Sequence, residues 1–197
     1  EEGVRRTVAA SSASVYGMAE AFPTTERHHP YNNDTFYGAA KAFNEGMLRS
    51  YKQMHDLDYV ALRYFNVYGP QENHKGAMAS VAFHLFGQLQ RGEEMKLFEG
   101  SDGFLRDVVY VDDAVAVNLH FLASGVSGIF NCGTGEARSF EDVGRTMQTL
   151  AGRGELRTVP FPDHLVGKYQ AFTRADLTAL RAAGFEAPMT PLEDGLQ

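Results

Sequence analysis

Tyr37 and Lys41 lie four residues apart in a segment whose apolar residues recur at steps of three and four, so both side chains are predicted to share one face of a helix. A free tyrosine has a pKa of about 10, which is too high for a base at neutral pH. A neighbouring ammonium group favours the phenolate, and a hydroxyl such as that of Ser12 can bridge a substrate oxygen and the tyrosine. The three residues could therefore form a proton-transfer site, although a Tyr–Lys pair alone is more typical of an ordinary helix.

Residues that follow predicted strands are further candidates. Asn66 follows a strand predicted at residues 59–65, and α/β sheets bind ligands at the carboxyl ends of their strands. Asn66 could therefore bond a cofactor or a sugar, or it could only cap the turn. The turn Gly133-Thr134-Gly135 also follows a strand, but it lacks the third glycine of a dinucleotide-binding turn. We interpret it as a turn into a helix that Ser139 caps.

Histidine and cysteine residues give no sign of a metal or disulfide site. His28 and His29 are adjacent, but no partner ligands lie at helical spacing, so a solvated loop and no metal site are predicted. Cys132 is the single cysteine, which excludes an internal disulfide and fits a reducing compartment such as the cytoplasm. It is predicted to be a buried strand residue rather than a nucleophile.

The elements that must position these residues alternate between strands and helices, which predicts an α/β fold with a mainly parallel sheet. The helix that carries Tyr37 is predicted to begin near Asp34 or Thr35 and to run to about His55, with Tyr37 and Lys41 facing a ligand beside an apolar stripe that meets the core. That stripe comprises Phe36, Ala40, Phe43, Met47, Tyr51 and Met54. Further strands are predicted at 7–10, 107–111 and 156–159, with a short strand and turn at 97–101. Further helices are predicted at 113–123 and at 174–183, and Thr173 is the predicted cap of the second of these.

Composition excludes several classes of partner. A net charge of −7 without a basic run argues against nucleic acid. A hydrophobic content of 44% and a charged content of 22% are ordinary for a soluble globular protein. No apolar stretch approaches membrane-spanning length, and nothing resembles a signal peptide. We expect neither a nucleic-acid nor a membrane partner.

The first residues lack one feature of a dinucleotide-binding domain. Such a domain opens with a strand, a glycine-rich turn and a helix, with an acidic residue about 20 positions further on. Residues 1–17 contain no glycine-rich turn of this kind. We therefore expect the chain to be the C-terminal part of a longer protein, with the N-terminal glycine-rich βαβ unit absent.

Three motifs follow one another along the chain. They are Ser-Ser-Ala-Ser-Val-Tyr-Gly at 11–17, Tyr37-x-x-x-Lys41, and Arg-Tyr-Phe-Asn-Val-Tyr-Gly-Pro at 63–70. In this order the motifs resemble the extended short-chain dehydrogenases/reductases, specifically the NAD-dependent epimerase/dehydratase family, over essentially the whole chain. The resemblance implies a Rossmann-like domain, catalysis by Ser12, Tyr37 and Lys41, bound NADP (or NAD), a nucleotide-sugar substrate and a homo-oligomer.

The same resemblance implies a division into two domains. Residues 1–70 would form the second half of the dinucleotide-binding domain, to which residues 105–125 and about 170–184 return. Residues 71–104, 126–169 and 185–197 would form a smaller α/β substrate-binding domain.

Two parts of the chain resemble different branches of the family. Residues 12–17 and 32–41 resemble UDP-hexose 4-epimerase-type enzymes. Residues 74–85, 97–101, 161–162 and 168–173 resemble the ADP-L-glycero-D-manno-heptose 6-epimerases. The second match is longer and includes the sugar-binding region. It predicts conversion of ADP-D-glycero-D-manno-heptose to its L-glycero epimer, a step of lipopolysaccharide biosynthesis, with a UDP-hexose 4-epimerase as the alternative.

The resemblance also implies roles for single residues. Lys41 would bind the nicotinamide ribose, and Val67 would contact the cofactor. Lys75 would be a second proton donor or acceptor and would also contact the cofactor. The implied sugar-nucleotide contacts are Asn66, Ala77, His84, Phe98, Glu99, Gly100, Ser101, Arg106 and Tyr169. The planar fork of Arg106 suits a diphosphate, and its alternative is a salt bridge to Asp107 or Glu99. The alternative for Lys75 is a solvated loop lysine, and Ala77 stands where the family commonly has serine.

Single positions of the sequence distinguish this chain from related enzymes with other functions. Ala13-Ser14 stand where sugar dehydratases place Asp-Glu, which argues against dehydration, and no cysteine lies near Ser12 as in the epimerase-reductases. A hypothesis of another class is an inactive, truncated sugar-nucleotide-binding remnant, which the missing glycine-rich half motivates.

Overall fold

Eight strands and six α-helices are present in the computed structural model, which describes residues 3–29, 33, 35–163 and 170–197. The strands are β1 (Arg6–Ser12), β2 (Asp58–Tyr64), β3 (Asn66–Tyr68), β4 (Met95–Phe98), β5 (Leu105–Tyr110), β6 (Gly128–Cys132), β7 (Ala137–Ser139) and β8 (Leu156–Val159). The helices are α1 (Phe36–His55), α2 (Val81–Gln90), α3 (Val111–Ala123), α4 (Phe140–Ala151), α5 (Thr178–Ala182) and α6 (Leu192–Gly195). Short 3₁₀ helices cover Ala13–Tyr16 and Glu72–Met78.

The sheet that ends at Ser12 is parallel and has the strand order β1-β2-β6. In its register Ser12 lies opposite Tyr64, and Tyr64 lies opposite Cys132, so the carboxyl ends of all three strands meet at one edge. The central strand β2 is buried from Tyr59 to Arg63 and mostly apolar, which is typical of a parallel strand covered on both faces. The predicted α/β fold with a Rossmann-like parallel sheet is confirmed.

A second sheet, β3-β5-β7, continues from the end of β2, and β4 pairs in parallel with β8 beside it. The helices α2 and α4 cover this part of the molecule and enclose its apolar core. The buried members of that core include Tyr68, Leu85, Leu89, Met95, Leu97, Val143 and Met147. A capping box at Ser139 begins α4, as the sequence predicts.

The helix α1 has the predicted bounds but not the predicted orientation. Its N-cap is Thr35, which accepts from the backbone N–H of Gly38, and its last turn closes at Asp56 in the left-handed region. The predicted apolar stripe lies on the solvent side, where Phe36 is 98% exposed and Phe43 66%. The buried residues of α1 are Gly38 and Glu45. Apolar spacing identified a helix, but it did not identify the face that meets the core.

The prediction of a helix at 174–183 is wrong for residues 174–177, because α5 covers only Thr178–Ala182. The chain before it is extended and bonds to other strands: Leu105 N–H donates to the Ala171 carbonyl, and Thr173 N–H donates to the Leu105 carbonyl. The Thr173 hydroxyl accepts from the Asp107 N–H instead of capping a helix. Tertiary hydrogen bonds therefore replace the local helix.

One boundary of the predicted domain division must also be corrected. Strand β6 was assigned to the substrate-binding part, but it pairs with β2 and belongs to the first sheet. Phe185 likewise packs in the core beneath that sheet, with Val60 and Leu62. The strand and the start of residues 185–197 therefore accompany the first sheet, and the remaining boundaries stay a prediction.

Candidate functional site

Ser12 lies where β1 ends and the 3₁₀ helix Ala13–Tyr16 begins. Its extended backbone makes it the N-cap of that helix, and its hydroxyl accepts from the Ser14 N–H at 3.1 Å. The same hydroxyl donates to Ser14 Oγ at 3.1 Å. Ser12 is nearly buried, at 9% exposure, so the strand end holds its hydroxyl in a fixed orientation.

Tyr37 and Lys41 reach the same strand end from the first two turns of α1. Lys41 Nζ donates to the carbonyl oxygen of Ala10 at 2.7 Å, and lies 5.6 Å from the centre of the Tyr37 ring. Tyr37 itself is 57% exposed. The structure therefore brings the lysine and the tyrosine together beside the end of β1, with the phenol open to a ligand.

Gly38 explains how α1 can approach so closely. A Cβ at this position would lie 2.4 Å from the carbonyl oxygen of Ser14. Asn33 Nδ2 donates to that same carbonyl at 3.3 Å. The absence of a side chain at 38 thus sets the contact between the start of α1 and the turn that follows Ser12.

Asn66 and Val67 lie at the neighbouring strand end, since β3 begins two residues beyond Tyr64, the partner of Ser12. Asn66 is exposed and Val67 is half-buried. Position and exposure are both compatible with the predicted contacts to substrate and cofactor.

Lys75 follows on the 3₁₀ helix Glu72–Met78, where its ammonium group lies 3.1 Å from Glu72 Oε2. Glu72 is buried and also accepts from the Ser80 N–H and hydroxyl, at 2.8 and 2.6 Å, and from the Gly69 N–H. Burial opposes ionisation of Glu72, but the Ser80 donors and Lys75 outweigh it and lower the pKa of this carboxyl. Lys75 is exposed and pairs with a buried carboxylate, and its role as a second proton donor or acceptor stays a prediction.

The remaining predicted sugar-nucleotide residues lie on the second part of the molecule. Ala77 and His84 are exposed on the segment 72–90. Residues 98–101 form a turn in which the Ser101 N–H donates to the Phe98 carbonyl at 3.0 Å, with Ser101 buried and Phe98, Glu99 and Gly100 exposed. Tyr169 lies outside the described residues.

Arg106 is buried inside β5. Its guanidinium donates to the carbonyl oxygens of Leu105 and Gln170 and lies 5.6 Å from the centre of the Phe140 ring. The salt bridge to Asp107 or Glu99 that was the alternative is not among the ion pairs of the described residues. The diphosphate role of Arg106 stays a prediction.

The turn Gly133-Thr134-Gly135 is closed to phosphate by a carboxylate. Asp107 is fully buried and accepts from Thr134 N–H at 2.7 Å, Gly135 N–H at 2.9 Å and Ala175 N–H at 2.9 Å. Burial raises the pKa of Asp107, while these donors favour its ionised form. The backbone groups that could cradle a dinucleotide phosphate already have a partner, which supports the interpretation of this turn as structural.

Sequence reasoning missed a buried ion pair beneath the site. Arg63 of β2 donates to both carboxylate oxygens of Glu45, at 2.8 and 2.7 Å. Two signals could have revealed it. Glu45 continues the i, i+4 series of Tyr37 and Lys41, and Arg63 is a charged residue within an apolar strand, which requires a partner.

These features define a class of protein. The structure has a parallel α/β sheet with Ser12 at the carboxyl end of one strand, and Lys41 bonds to that strand beside the exposed Tyr37; this is the edge at which Rossmann-like sheets bind ligands. Residues 1–133 match the NAD dependent epimerase/dehydratase family. Because this match covers well over half of the chain, the protein belongs to that family, as the sequence motifs predict.

Solved structures similar to this chain include epimerases of both predicted branches. UDP-glucose 4-epimerase from Thermotoga maritima, solved with UDP-glucose, is 32% identical, with a TM-score of 0.84 and coverage of 98% of this chain and 62% of that one. ADP-L-glycero-D-manno-heptose-6-epimerase from Helicobacter pylori is 29% identical, with a TM-score of 0.81 and coverage of 97% and 57%. UDP-glucose 4-epimerase from Thermus thermophilus, solved with NAD, is 29% identical, with a TM-score of 0.84 and coverage of 98% and 62%.

The chain therefore spans about three-fifths of the length of the solved structures it matches. Across the described ranges, no helix combines the length and the apolar character needed to cross a bilayer.

Proposed function

We propose that the whole protein to which this chain belongs is a nucleotide-sugar epimerase, an isomerase that acts by transient oxidation and re-reduction with bound NADP or NAD. The observation that carries the proposal is the placement of Lys41 between the Ala10 carbonyl and the exposed ring of Tyr37, beside Ser12. A bound nicotinamide supplies the acceptor and later the donor of hydride, which avoids a carbanion at an unactivated carbinol carbon.

The chain's own residues handle the proton. Tyr37 Oη accepts the proton of the substrate hydroxyl during oxidation and returns it during reduction. The ammonium group of Lys41, 5.6 Å from the centre of the Tyr37 ring, places positive charge on the side of the tyrosine on which negative charge would develop during the reaction. Ser12, oriented by its bonds to Ser14, offers a hydroxyl that can bridge the substrate oxygen and the tyrosine.

We favour ADP-D-glycero-D-manno-heptose as the substrate and epimerisation at C6 as the reaction. The resemblance of residues 74–85 and 97–101 to the heptose epimerases supports this choice. So does the pairing of Lys75 with the buried Glu72, since Lys75 would serve as the second proton donor or acceptor when the ketone is presented in its other orientation. Asn66, Ala77, His84, the turn 98–101, Arg106 and Tyr169 would contact the sugar nucleotide.

A UDP-hexose 4-epimerase is the second candidate. The observation in its favour is the 32% identity to the Thermotoga maritima UDP-glucose 4-epimerase, against 29% for the Helicobacter pylori heptose epimerase.

We also infer a cytoplasmic homo-oligomer, and the exposed Phe43 and Met47 on α1 support association through an apolar surface.

The decisive experiment incubates the whole protein, loaded with NADP or NAD, with ADP-D-glycero-D-manno-heptose and separately with UDP-glucose. Product configuration is read by NMR. We expect inversion at C6 of the heptose. Turnover of UDP-glucose alone would transfer the assignment to the 4-epimerases, and turnover of neither sugar would favour an inactive sugar-nucleotide-binding remnant.

A further inference from the structure

The helix α1 attaches to the sheet in an unusual way. Helices usually bury an apolar stripe, but the large apolar side chains of α1 are exposed and its buried residues are Gly38 and Glu45. Since apolar packing under this helix is sparse, polar contacts must fix its position. Lys41 supplies one such contact at the Ala10 carbonyl, and Glu45 supplies buried contacts to Ser11 and Arg63.

Glu45 connects α1 to two strands at once. Its Oε1 accepts from the Ser11 hydroxyl of β1 at 2.5 Å and from Arg63 Nε of β2 at 2.8 Å, and its Oε2 accepts from Arg63 Nη2 at 2.7 Å. Glu45, Ser11 and Arg63 are 3%, 5% and 5% exposed. A two-pronged bond between a planar guanidinium and a carboxylate fixes direction as well as distance.

Arg63 is itself held from a second side. Its Nη1 donates to the Glu26 carbonyl at 3.1 Å, and its guanidinium lies 4.7 Å from the centre of the Tyr16 ring. The Tyr16 hydroxyl donates to Asn131 Oδ1 at 2.6 Å, and burial raises the pKa of this phenol to about 12. The arginine therefore presents its fork to Glu45 from a fixed point.

We propose that Glu45 is a positioning residue for the reaction: through Ser11 and Arg63 it sets the separation between Ser12 on β1 and the Tyr37–Lys41 face of α1. Ser11 adjoins Ser12 in the chain, and Glu45 lies one helical turn beyond Lys41 and two beyond Tyr37. A shorter side chain at 45 cannot reach both partners unless α1 moves toward the sheet. The inference rests on the proposed function, because it assigns those three residues to proton transfer.

The test compares variants of the whole protein by kcat, KM and thermal unfolding, with rates expressed per folded molecule. Glu45→Asp keeps the charge and shortens the reach, and we expect kcat to fall ~10–100-fold with KM changed less than threefold, as for a small misplacement of catalytic groups. Glu45→Leu/Arg63→Met replaces the buried pair by apolar side chains, which often preserves stability. We expect this double variant to fold and to show the same loss of kcat.

The matched control is Lys52→Gln. Lys52 also joins α1 to β2, through an exposed pair with Asp58 at 2.8 Å, but it lies far along the helix from Tyr37. Its kcat should stay within twofold of the unaltered protein.

The outcomes separate the inference from the proposed function. An unaltered protein that converts neither sugar overturns the proposed function and, with it, the positioning role. An active unaltered protein whose folded Glu45→Asp or double variant keeps its kcat overturns the positioning role alone. If Glu45→Asp does not fold, the double variant decides by the same criterion.

Discussion

The hydroxyl of Tyr37 is the atom on which the proposed chemistry depends. It belongs to a side chain that is 57% exposed, so removing the oxygen should leave the fold intact. We expect Tyr37→Phe to lower kcat by ~10²–10⁴, the usual contribution of a general acid or base, with little change in KM. Tyr51→Phe on the same helix is the control and should be fully active. Undiminished turnover in Tyr37→Phe would assign the tyrosine a structural role.

At the scale of single residues, sequence reasoning found the groups that can do chemistry and missed those that place them. Tyr37 and Lys41 are recognisable because their spacing alone puts them on one helix face. Glu45 and Arg63 lie 18 positions apart, so local patterns can mark each residue as unusual but cannot show that the two pair. The pairing becomes visible only when the strand and the helix are assembled.

Among the elements, the segment Glu72–Met78 depends on one carboxylate. Glu72 has a lowered pKa in the folded chain, so its contribution to stability is present above its ordinary pKa of 4.5 and is lost as pH falls through the lower folded value. We expect Glu72→Gln to lower the free energy of unfolding by about 1–3 kcal/mol at pH 7, because buried donors lose a charged acceptor. The difference from the unaltered chain should shrink as pH falls below about 4.

Urea unfolding at pH 7, 5 and 3.5 measures this effect, with the exposed Glu186→Gln as the control. A difference that is constant with pH would show that the ionised state of Glu72 is not what stabilises the segment.

Element bounds were predictable where the signals are local, and orientation was not. Periodicity and Thr35 gave the bounds of α1, and Ser139 gave the start of α4. The face of α1 that meets the sheet was predicted wrongly, because Glu45 rather than the apolar stripe lies inside. The chain at 174–177 was predicted to be helical because its partner is distant in sequence: the Arg174 carbonyl accepts from the Thr24 N–H, and the Asp176 N–H donates to the Thr24 carbonyl.

For the whole molecule, the proposed function assigns the nicotinamide end of the cofactor site to Ser12, Tyr37 and Lys41, whereas Asp107 occupies the turn 133–135 that could have held a phosphate. We therefore expect residues 1–197 alone to bind NADP poorly, since phosphates are usually held by free backbone N–H groups at a helix start. Isothermal calorimetry with the whole protein as the control measures this. Equal affinity for the two would show that the cradle lies within this chain.

Asp107 also links parts of the chain that are far apart in sequence, since one carboxylate on β5 accepts from Thr134, Gly135 and Ala175. These amide protons should consequently exchange with deuterated solvent as one cooperative group, opening together rather than in sequence order. In Asp107→Asn, where an amide nitrogen replaces one acceptor oxygen, all three should lose protection at once. A loss confined to Thr134 and Gly135 would instead separate the C-terminal segment into an independent unit.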